Sequence, residues 1–276
     1  MEHVLADPDD PRLADYLALS DPARRRRVER DGAFFVVEGV LAIERLLDVG
    51  GWGIRSLLVL PRVADRLGVR LDAIDAPVLV ATEDVLRRVV GFDLHRGALA
   101  AVDRRPPEDL ARLVAGSRLL LATEGVNDHE NLGALYRNAA AFGADGVLLD
   151  PTSADPFYRR AVRVSMGHVL GVPTGALPAL PGGVERLRSL GVTVVALTPS
   201  ADAVALGDFG ARSLGGGPVA VLVGAEGPGL TPGALAAADV LVRIPMASGI
   251  DSVNVATAAA IALHHLAARP AGGVGR

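Results

Sequence analysis

The sequence predicts an α/β protein whose larger, C-terminal part is a parallel sheet covered by helices on both faces. From residue 118 onward the strand-like segments are continuous apolar runs, with helical stretches between most of them. Strands that are apolar on both sides belong in parallel sheets with a layer of helices on each face. The runs are RLLLA, GVLLD, VTVVALT, VAVLVG and VLVRIP.

The part of the chain before residue 104 alternates shorter elements, which indicates a separate, smaller α/β domain. Residues 1–30 are interpreted as a helical lead-in, and residues 38–48 have apolar positions at helical spacing. The strand-like segments are FFVV at 34–37, LLVL at 57–60, VLVA at 78–81 and ALAAV at 98–102.

A double proline marks the division between these two parts. The sequence Arg104-Arg105-Pro106-Pro107 breaks the pattern, because two consecutive prolines continue neither a helix nor a central strand. We therefore predict an N-terminal domain over residues 1–105, a linker over 106–117 and a C-terminal domain over 118–270.

Composition predicts a soluble, cytoplasmic protein. No apolar run reaches the roughly 18 residues of a membrane span, and the acidic start MEHVLADPDD is unlike a signal peptide. The absence of cysteine excludes disulfides, thiolate metal sites and a cysteine nucleophile. The net charge of −4 argues against unselective coating of nucleic acid. Every strongly basic side chain is an arginine, and four of them form the run Arg24–Arg27. This use of arginine in place of lysine either suits phosphate binding or reflects a compositional bias of the genome.

The first motif that carries chemistry is NDHENLGALYRNA, at residues 127–139, which follows the strand RLLLA and opens a helix. Asn127 or Asp128 can cap this helix, and Gly143 is a natural stop. Arg137 is unexpected in a helix that is otherwise rich in alanine and leucine. It is either a functional side chain or a salt-bridged residue at the edge of the sheet.

The second motif is GAEGPGL, at residues 224–230, directly after the strand VAVLVG. Glycines at the carboxyl end of a strand allow tight turns and close approach of the backbone to a ligand, where open α/β sheets place their sites. The chain contains neither G-x-G-x-x-G nor the lysine of a phosphate-binding G-x-x-x-x-G-K-[ST] loop. These absences argue against dinucleotide and nucleoside triphosphate sites of the usual kinds.

The third motif is IPMASGIDSVNVATA, at residues 244–258. A strand ends at Pro245, and a helix of small residues is predicted to begin near Asp251 or Ser252, either of which is a good N-cap. Asn254 then falls in the first turn, where its side chain competes with the backbone hydrogen bonds of the helix. A functional role explains this residue better than helix propensity does.

Together these segments resemble the SpoU/TrmH family of S-adenosylmethionine-dependent RNA 2′-O-ribose methyltransferases, of the SPOUT class. The resemblance rests on N-x-G-x-x-x-R-x-A read from Asn131, on GAEGPGL, on IPM followed by SVNV, and on R-x-S-x-G read from Arg163. It implies a trefoil-knotted α/β domain over about residues 118–268 and a homodimer. The segments FVVEG and GFDLHRGA also make the N-terminal part similar to the family's RNA-binding domain, a ribosomal-protein-like α/β module.

The resemblance also implies a role for individual residues. The catalytic arginine would be Arg137, stabilising the 2′-oxygen electrostatically while it binds the adjacent phosphate. The residues that orient the ribose or the Arg137 side chain would be Asn131, Ser252 and Asn254, and Glu226 would brace the glycine loop. Those that contact S-adenosylmethionine would be Leu197, Thr198, Gly224, Ile244, Met246 and Val253. RNA would be held by Arg159, Arg160, Arg163 and Ser165, although an edge salt bridge is the alternative for Arg163.

Two other functions stay open at this point. One is a catalytically idle RNA-binding protein that keeps the fold, and the other is an antibiotic-resistance methyltransferase that differs only in its ribosomal target. A metal enzyme fits poorly, because the adjacent His264 and His265 point apart on a helix and His129 and His168 lack nearby ligands. We expect no metal and no membrane partner, and the RNA itself, ribosomal or transfer, is not encoded in any motif.

Overall fold

The computed structural model describes residues 2–17, 19, 21, 23, 33–91, 97–209 and 216–267. By its internal contacts the chain divides into two compact units. The first comprises residues 1–106 and 157–171, and the second comprises residues 107–156 and 172–276.

Some of the sequence-based predictions concern segments that lie outside these described residues. They are the arginine run Arg24–Arg27, residues 92–96 of the GFDLHRGA segment and the chain beyond residue 267. Of the helices that the structure describes, none is both long and apolar enough to cross a bilayer. Over the same part of the chain, no three His, Asp or Glu side chains are grouped so as to hold a metal ion.

The first unit contains a mixed five-stranded sheet in the order β1-β4-β3-β5-β2. Strands β1, β4 and β3 run parallel, and β5 is antiparallel to its two neighbours. The strands are β1 (Glu2–Leu5), β2 (Phe34–Glu38), β3 (Ile54–Val59), β4 (Val78–Ala81) and β5 (Ala98–Asp103), and the helices are α1 (Val40–Val49), α2 (Pro61–Leu67), α3 (Val69–Asp72) and α4 (Glu83–Val90). The four predicted strands and the predicted helix are confirmed.

The predicted helical lead-in is wrong at its start. Residues Glu2–Leu5 form β1, which pairs in parallel with β4 and so completes an edge of the sheet. A 3-10 helix follows at Pro11–Tyr16, capped by the Asp10 carboxylate. The buried Tyr16 hydroxyl donates to the carbonyl of Ser56 at 2.9 Å, which fixes this segment against the sheet.

The second unit contains a fully parallel seven-stranded sheet in the order β10-β12-β9-β11-β6-β7-β8. Its strands are β6 (Leu119–Glu124), β7 (Gly146–Leu149), β8 (Thr174–Ala176), β9 (Thr193–Leu197), β10 (Val204–Ala205), β11 (Val219–Gly224) and β12 (Val240–Arg243). The five predicted apolar runs are confirmed as β6, β7, β9, β11 and β12. The short strands β8 and β10 are additional.

The helices of this unit are α5 (Leu110–Ala115), α6 (His129–Ala141), α8 (Gly182–Ser189), α9 (Pro232–Ala237) and α10 (Val255–Ala267), while α7 (Arg159–Val164) belongs to the first unit. Alternate strand residues point to opposite faces. Leu120 and Leu222 pack with α5, α8 and α9, and α6 and α10 contact the sheet on its other face. The predicted layer of helices on each face is therefore confirmed.

The observed division of the chain differs from the predicted boundaries in two places. Within the predicted linker 106–117, helix α5 buries Val114 in the core of the second unit. Residues 157–171 leave the second part of the chain and pack in the first unit, where Phe157 lies 4.8 Å from Phe35 between ring centroids. Apolar and aromatic side chains in both segments find their partners far away in sequence, so the units are not continuous in the chain.

Candidate functional site

A cleft of about 550 Å³ opens in the second unit at the carboxyl ends of β9, β11 and β12. These strands are parallel neighbours, so the loops that follow them meet at one edge of the sheet, where ligands of open α/β folds bind. The cleft is of the size of small-molecule sites. Its lining includes all six residues that the sequence assigns to the cofactor: Leu197, Thr198, Gly224, Ile244, Met246 and Val253.

The glycine loop after β11 folds back onto its own first residue. The N–H of Gly229 donates to the carbonyl of Ala225 at 3.0 Å, which closes the loop. A Cβ built on Gly224 would lie 2.3 Å from the carbonyl carbon of Gly229 and 2.4 Å from the nitrogen of Leu230. Only glycine permits this close approach of two backbone segments. The sequence motif therefore encodes the shape of one wall of the cleft.

The far end of the glycine loop is held by Glu124, a residue that sequence reasoning missed. Glu124 ends β6, next to β11, and its buried carboxylate accepts hydrogen bonds from the N–H and the hydroxyl of Thr231, both at 2.8 Å. Thr231 in turn caps α9. The sequence does contain a signal for this role of Glu124. A carboxylate at the end of an apolar strand is expected to be buried, and buried acids need hydrogen-bond partners.

Asn254 joins the three sequence motifs. Its Nδ2 donates to Oδ1 of Asn131 at 2.8 Å and to Oε1 of Glu226 at 2.6 Å. Its Oδ1 accepts from the N–H of Ala256 at 2.9 Å. The predicted helix start near Asp251 or Ser252 is therefore wrong, because α10 begins at Val255 and Asn254 is the N-cap. The amide both starts the helix and links Asn131 to Glu226.

Arg137 lies on α6, whose N-cap is Asp128, one of the two predicted caps. Asn131 and Asn138 are seven residues apart, share a helix face and both bond the start of α10. Arg137 is offset from that face by about 100°. Its side chain is exposed, and it is absent from the cleft lining, which does include Ser252. Over the described residues no hydrogen bond or ion pair engages its guanidinium, so the salt-bridge alternative finds no partner there.

The predicted RNA-binding residues lie in the first unit, on and after α7. Arg159 and Arg163 pair with the buried Glu38 carboxylate at 2.9 and 3.2 Å. Arg163 thus makes the salt bridge that sequence reasoning held as its alternative role, and Arg160 is exposed. The structure corrects the expectation for Ser165. Its side chain is fully buried and donates to the carbonyl of Val162, so it ends α7 and has no surface for RNA.

Comparison with known proteins agrees with this geometry. The model of the SpoU rRNA Methylase family matches residues 118–264. A protein of Mycobacterium tuberculosis described as an uncharacterized tRNA/rRNA methyltransferase is 45% identical over 260 residues, which cover 94% of this chain and 90% of that protein. The chain belongs to the SpoU methylase family. Membership makes it an RNA methyltransferase with S-adenosylmethionine as its methyl donor.

Solved structures of RNA methyltransferases match nearly the whole chain. An AdoMet-bound rRNA methyltransferase from Sinorhizobium meliloti has a TM-score of 0.79 at 28% identity, covering 96% of this chain and 97% of that one. A structure described as an RNA 2′-O ribose methyltransferase has a TM-score of 0.73 at 27% identity, covering 96% and 98%. The likeness therefore extends over both units of this SpoU protein.

The cleft of this SpoU protein also fits its cofactor chemically. Leu197, Ile244 and Val253 supply apolar walls, and Val253 is 39% exposed, so a ligand would cover it. Backbone groups of the glycine loop line the cleft without Cβ atoms at residues 224, 227 and 229. An apolar cleft with a few convergent polar groups suits a ligand that combines an adenine ring with polar ends.

A second brace holds the loop after β6, near Asn131. The buried Asp150 carboxylate accepts hydrogen bonds from the N–H of Gly125 at 2.9 Å, from Ser153 Oγ at 2.5 Å and from the hydroxyl of Thr152. Burial alone raises the pKa of Asp150, but these hydrogen bonds outweigh it and hold the pKa below its ordinary 3.8.

The Asp150→Asn variant is expected to be less stable by about 1–3 kcal/mol near neutral pH. Because the pKa is lower in the folded state, the stabilisation is fully present above the ordinary aspartate value and is lost as pH falls through the lowered one. Urea unfolding of wild type and variant over a pH series measures this difference. The exposed Asp202→Asn is the control, and a difference that stays constant down to acid pH would contradict the assignment.

Two substitutions at Asn254 separate its capping role from its linking role. Asn254→Asp keeps an oxygen for the N–H of Ala256 but removes the Nδ2 donor and sets a second carboxylate beside Glu226. Asn254→Ala removes both functions. We expect methyl transfer to fall about tenfold or more in both variants, and stability to fall by about 1 kcal/mol only in Asn254→Ala. Wild-type methyl transfer by Asn254→Asp would show that the residue only caps α10.

Proposed function

We propose that this SpoU-family protein transfers a methyl group to a ribose 2′-hydroxyl of structured RNA. The observation that carries the proposal is the Asn254 amide, which joins Asn131 and Glu226 beside the cofactor cleft. Five polar residues expected of a ribose methyltransferase are present, and three of them form one hydrogen-bonded group. The solved 2′-O ribose methyltransferase that shares the fold supports the same reaction.

The chemistry requires an oriented hydroxyl that loses its proton. Bound S-adenosylmethionine supplies an electrophilic methyl group on a sulfonium sulfur. Ser252 lines the cleft and is exposed, and its hydroxyl would orient the ribose. The amides of Asn131 and Asn254 offer further polar contacts at the cleft edge. Holding the hydroxyl in line with the methyl group supplies much of the acceleration, because orientation removes an entropic cost from the barrier.

Arg137 is proposed to stabilise the oxygen as negative charge develops on it. Guanidinium groups are not deprotonated in proteins, so a general-base role is excluded. An exposed guanidinium can instead bind the phosphate next to the target ribose with two N–H groups and direct another at the 2′-oxygen. The proton then passes to solvent or to a phosphate oxygen, and the arginine stays charged throughout.

The position of Arg137 also supports the predicted homodimer. Arg137 lies outside the cleft lining of its own chain, on a different face of α6 from Asn131 and Asn138. A second copy that packs against α6 would complete each site with the arginine of one subunit and the cofactor of the other. We also propose that the second unit contains the trefoil knot that the family resemblance implies.

Mixing two inactive variants tests the shared site. Arg137→Ala keeps the cleft, and Val253→Trp fills it, so each is expected to be inactive alone. In mixed dimers one of the two sites is intact, and free exchange of subunits is expected to restore about one quarter of the wild-type rate. A mixture that stays as inactive as its components would place Arg137 and the cofactor in the same subunit.

The reaction itself is tested by transfer of tritium from labelled S-adenosylmethionine to total RNA, with ribosomal and transfer RNA separated afterwards. Label at a single nucleotide whose 3′ phosphodiester resists alkali identifies 2′-O methylation, because alkaline cleavage needs a free 2′-hydroxyl. Label that alkali releases, or label on a base, would exclude ribose methylation. Cofactor binding without transfer to any RNA would favour the idle RNA-binding alternative.

A further inference from the structure

The first unit carries an aromatic cluster that the methyl-transfer site does not use. The rings of Phe35, Trp52 and Phe157 contact one another, with centroids 4.8 to 5.6 Å apart. Phe35 is buried, whereas Trp52 and Phe157 are partly exposed. One side of the cluster is therefore buried, and the other side is accessible to solvent.

Two arginines stack on this cluster. The guanidinium carbon of Arg105 lies 4.3 Å from the centroid of the Trp52 ring, and that of Arg104 lies 5.9 Å from the centroids of both Phe35 and Phe157. Arg105 is exposed. The neighbouring carboxylate of Asp103 pairs with Arg55 at 2.6 Å, and the half-buried Arg104 donates its Nε to the carbonyl of Phe34 at 3.1 Å. Aromatic rings and the exposed guanidinium of Arg105 therefore lie together, in a chain whose net charge is −4.

The loop sequence and one hydrogen bond position Trp52 in this arrangement. It is the only tryptophan of the chain and lies in the sequence Gly50-Gly51-Trp52-Gly53. Gly50 and Gly51 have φ of +64° and +68°, which other residues rarely adopt, so the loop that presents the ring depends on them. The indole N–H donates to the carbonyl of Leu170 at 3.0 Å. Because its indole N–H is satisfied, Trp52 takes part in stacking without the cost of an unpaired polar group.

We propose that this cluster is a stacking platform for an unpaired base of the RNA substrate, with Arg105 binding the adjoining phosphate; the proposal rests on RNA being the substrate of the proposed reaction. Unpaired bases are recognised by stacking on aromatic rings and guanidinium planes, combined with positive charge along the backbone. The cluster supplies both features on one surface. Duplex RNA keeps its bases stacked within the helix and does not fit it.

Trp52 provides a direct readout, because it is the only tryptophan in the chain. The full-length protein is titrated with a short unstructured RNA oligonucleotide and with an RNA duplex of the same length, following tryptophan fluorescence. We expect the single strand to quench Trp52 and the duplex to leave its emission unchanged. In Arg105→Ala the affinity for the single strand is expected to fall about tenfold, and the slope of log K against log salt by about one.

The matched control is Arg62→Ala, an exposed arginine of the same unit that pairs with Glu83 and is expected to leave affinity unchanged. Fluorescence anisotropy of labelled RNA follows binding independently of Trp52. Binding seen by anisotropy with no response of Trp52, and with Arg105→Ala equal to wild type, would overturn the platform. Tritium transfer by the same wild-type preparation separates the two proposals: transfer without a Trp52 response rejects the platform alone, and a Trp52 response without transfer rejects methylation alone.

Discussion

Replacing Arg137 with alanine is expected to slow methyl transfer about 100- to 1000-fold and to leave the affinity for S-adenosylmethionine unchanged. Arg137 is absent from the cleft lining, so its removal takes nothing from the wall of the cleft where the cofactor is proposed to bind. It is exposed and packs no core, so stability should be retained. Single-turnover transfer of labelled methyl groups measures the rate, and calorimetric titration measures cofactor affinity.

Two further variants are needed to interpret this loss of rate. Arg137→Lys keeps the positive charge but loses the paired N–H groups that bind a phosphate, so it should recover only part of the rate. Arg186→Ala removes an exposed arginine of α8 in the same unit and should act as wild type. An Arg137→Ala protein that methylates at the wild-type rate would contradict the proposed electrostatic role of Arg137.

Gly224→Ala is expected to weaken cofactor binding about tenfold or more and to lower stability by about 1–3 kcal/mol. The new Cβ would lie 2.3 Å from the backbone of Gly229 and 2.4 Å from that of Leu230, and backbone atoms cannot rotate away as a side chain can. The loop must therefore move, and it forms a wall of the cleft. Titration calorimetry and urea unfolding measure the two effects separately.

Gly182→Ala is the matched control for this substitution. Gly182 begins α8, a Cβ there meets no atom within 4 Å, and its φ is not in the left-handed region. Alanine favours a helix over glycine, so this variant should be as stable as wild type or slightly more so, with unchanged cofactor affinity. Equal cofactor affinity in Gly224→Ala and Gly182→Ala would show that the loop tolerates a side chain and that its glycine is not required.

Much of the second unit was predictable because its signals are local. Strands β6 and β11 are buried along nearly their whole length, and a continuous apolar run is the direct consequence of burial on both faces. Gly224, Ile244 and Val253 were assigned through the family resemblance, and they line one cleft because the loops that follow parallel strands meet at one sheet edge. The short strands β8 and β10 carry too few residues to form such a pattern.

The wrong predictions for Asn254 and Ser165 have a common cause. Asn254 was expected within the first turn of a helix, and only its hydrogen bonds show that it precedes the helix. Ser165 was expected at the surface with its neighbouring arginines, but the end of α7 buries it. Both outcomes depend on the exact residue at which a helix begins or ends, which nearby propensities determine only weakly.

The sequence by itself determined the parallel sheet and, through its ordered motifs, the family and several residues of the cleft, because these signals lie in short continuous segments. Only the tertiary structure decided that residues 157–171 pack with the first unit, that Glu124 holds Thr231, and that Trp52 and Arg105 stack. The physical reason is that these contacts join residues far apart in the chain. Their free energy depends on burial and geometry that no local pattern encodes.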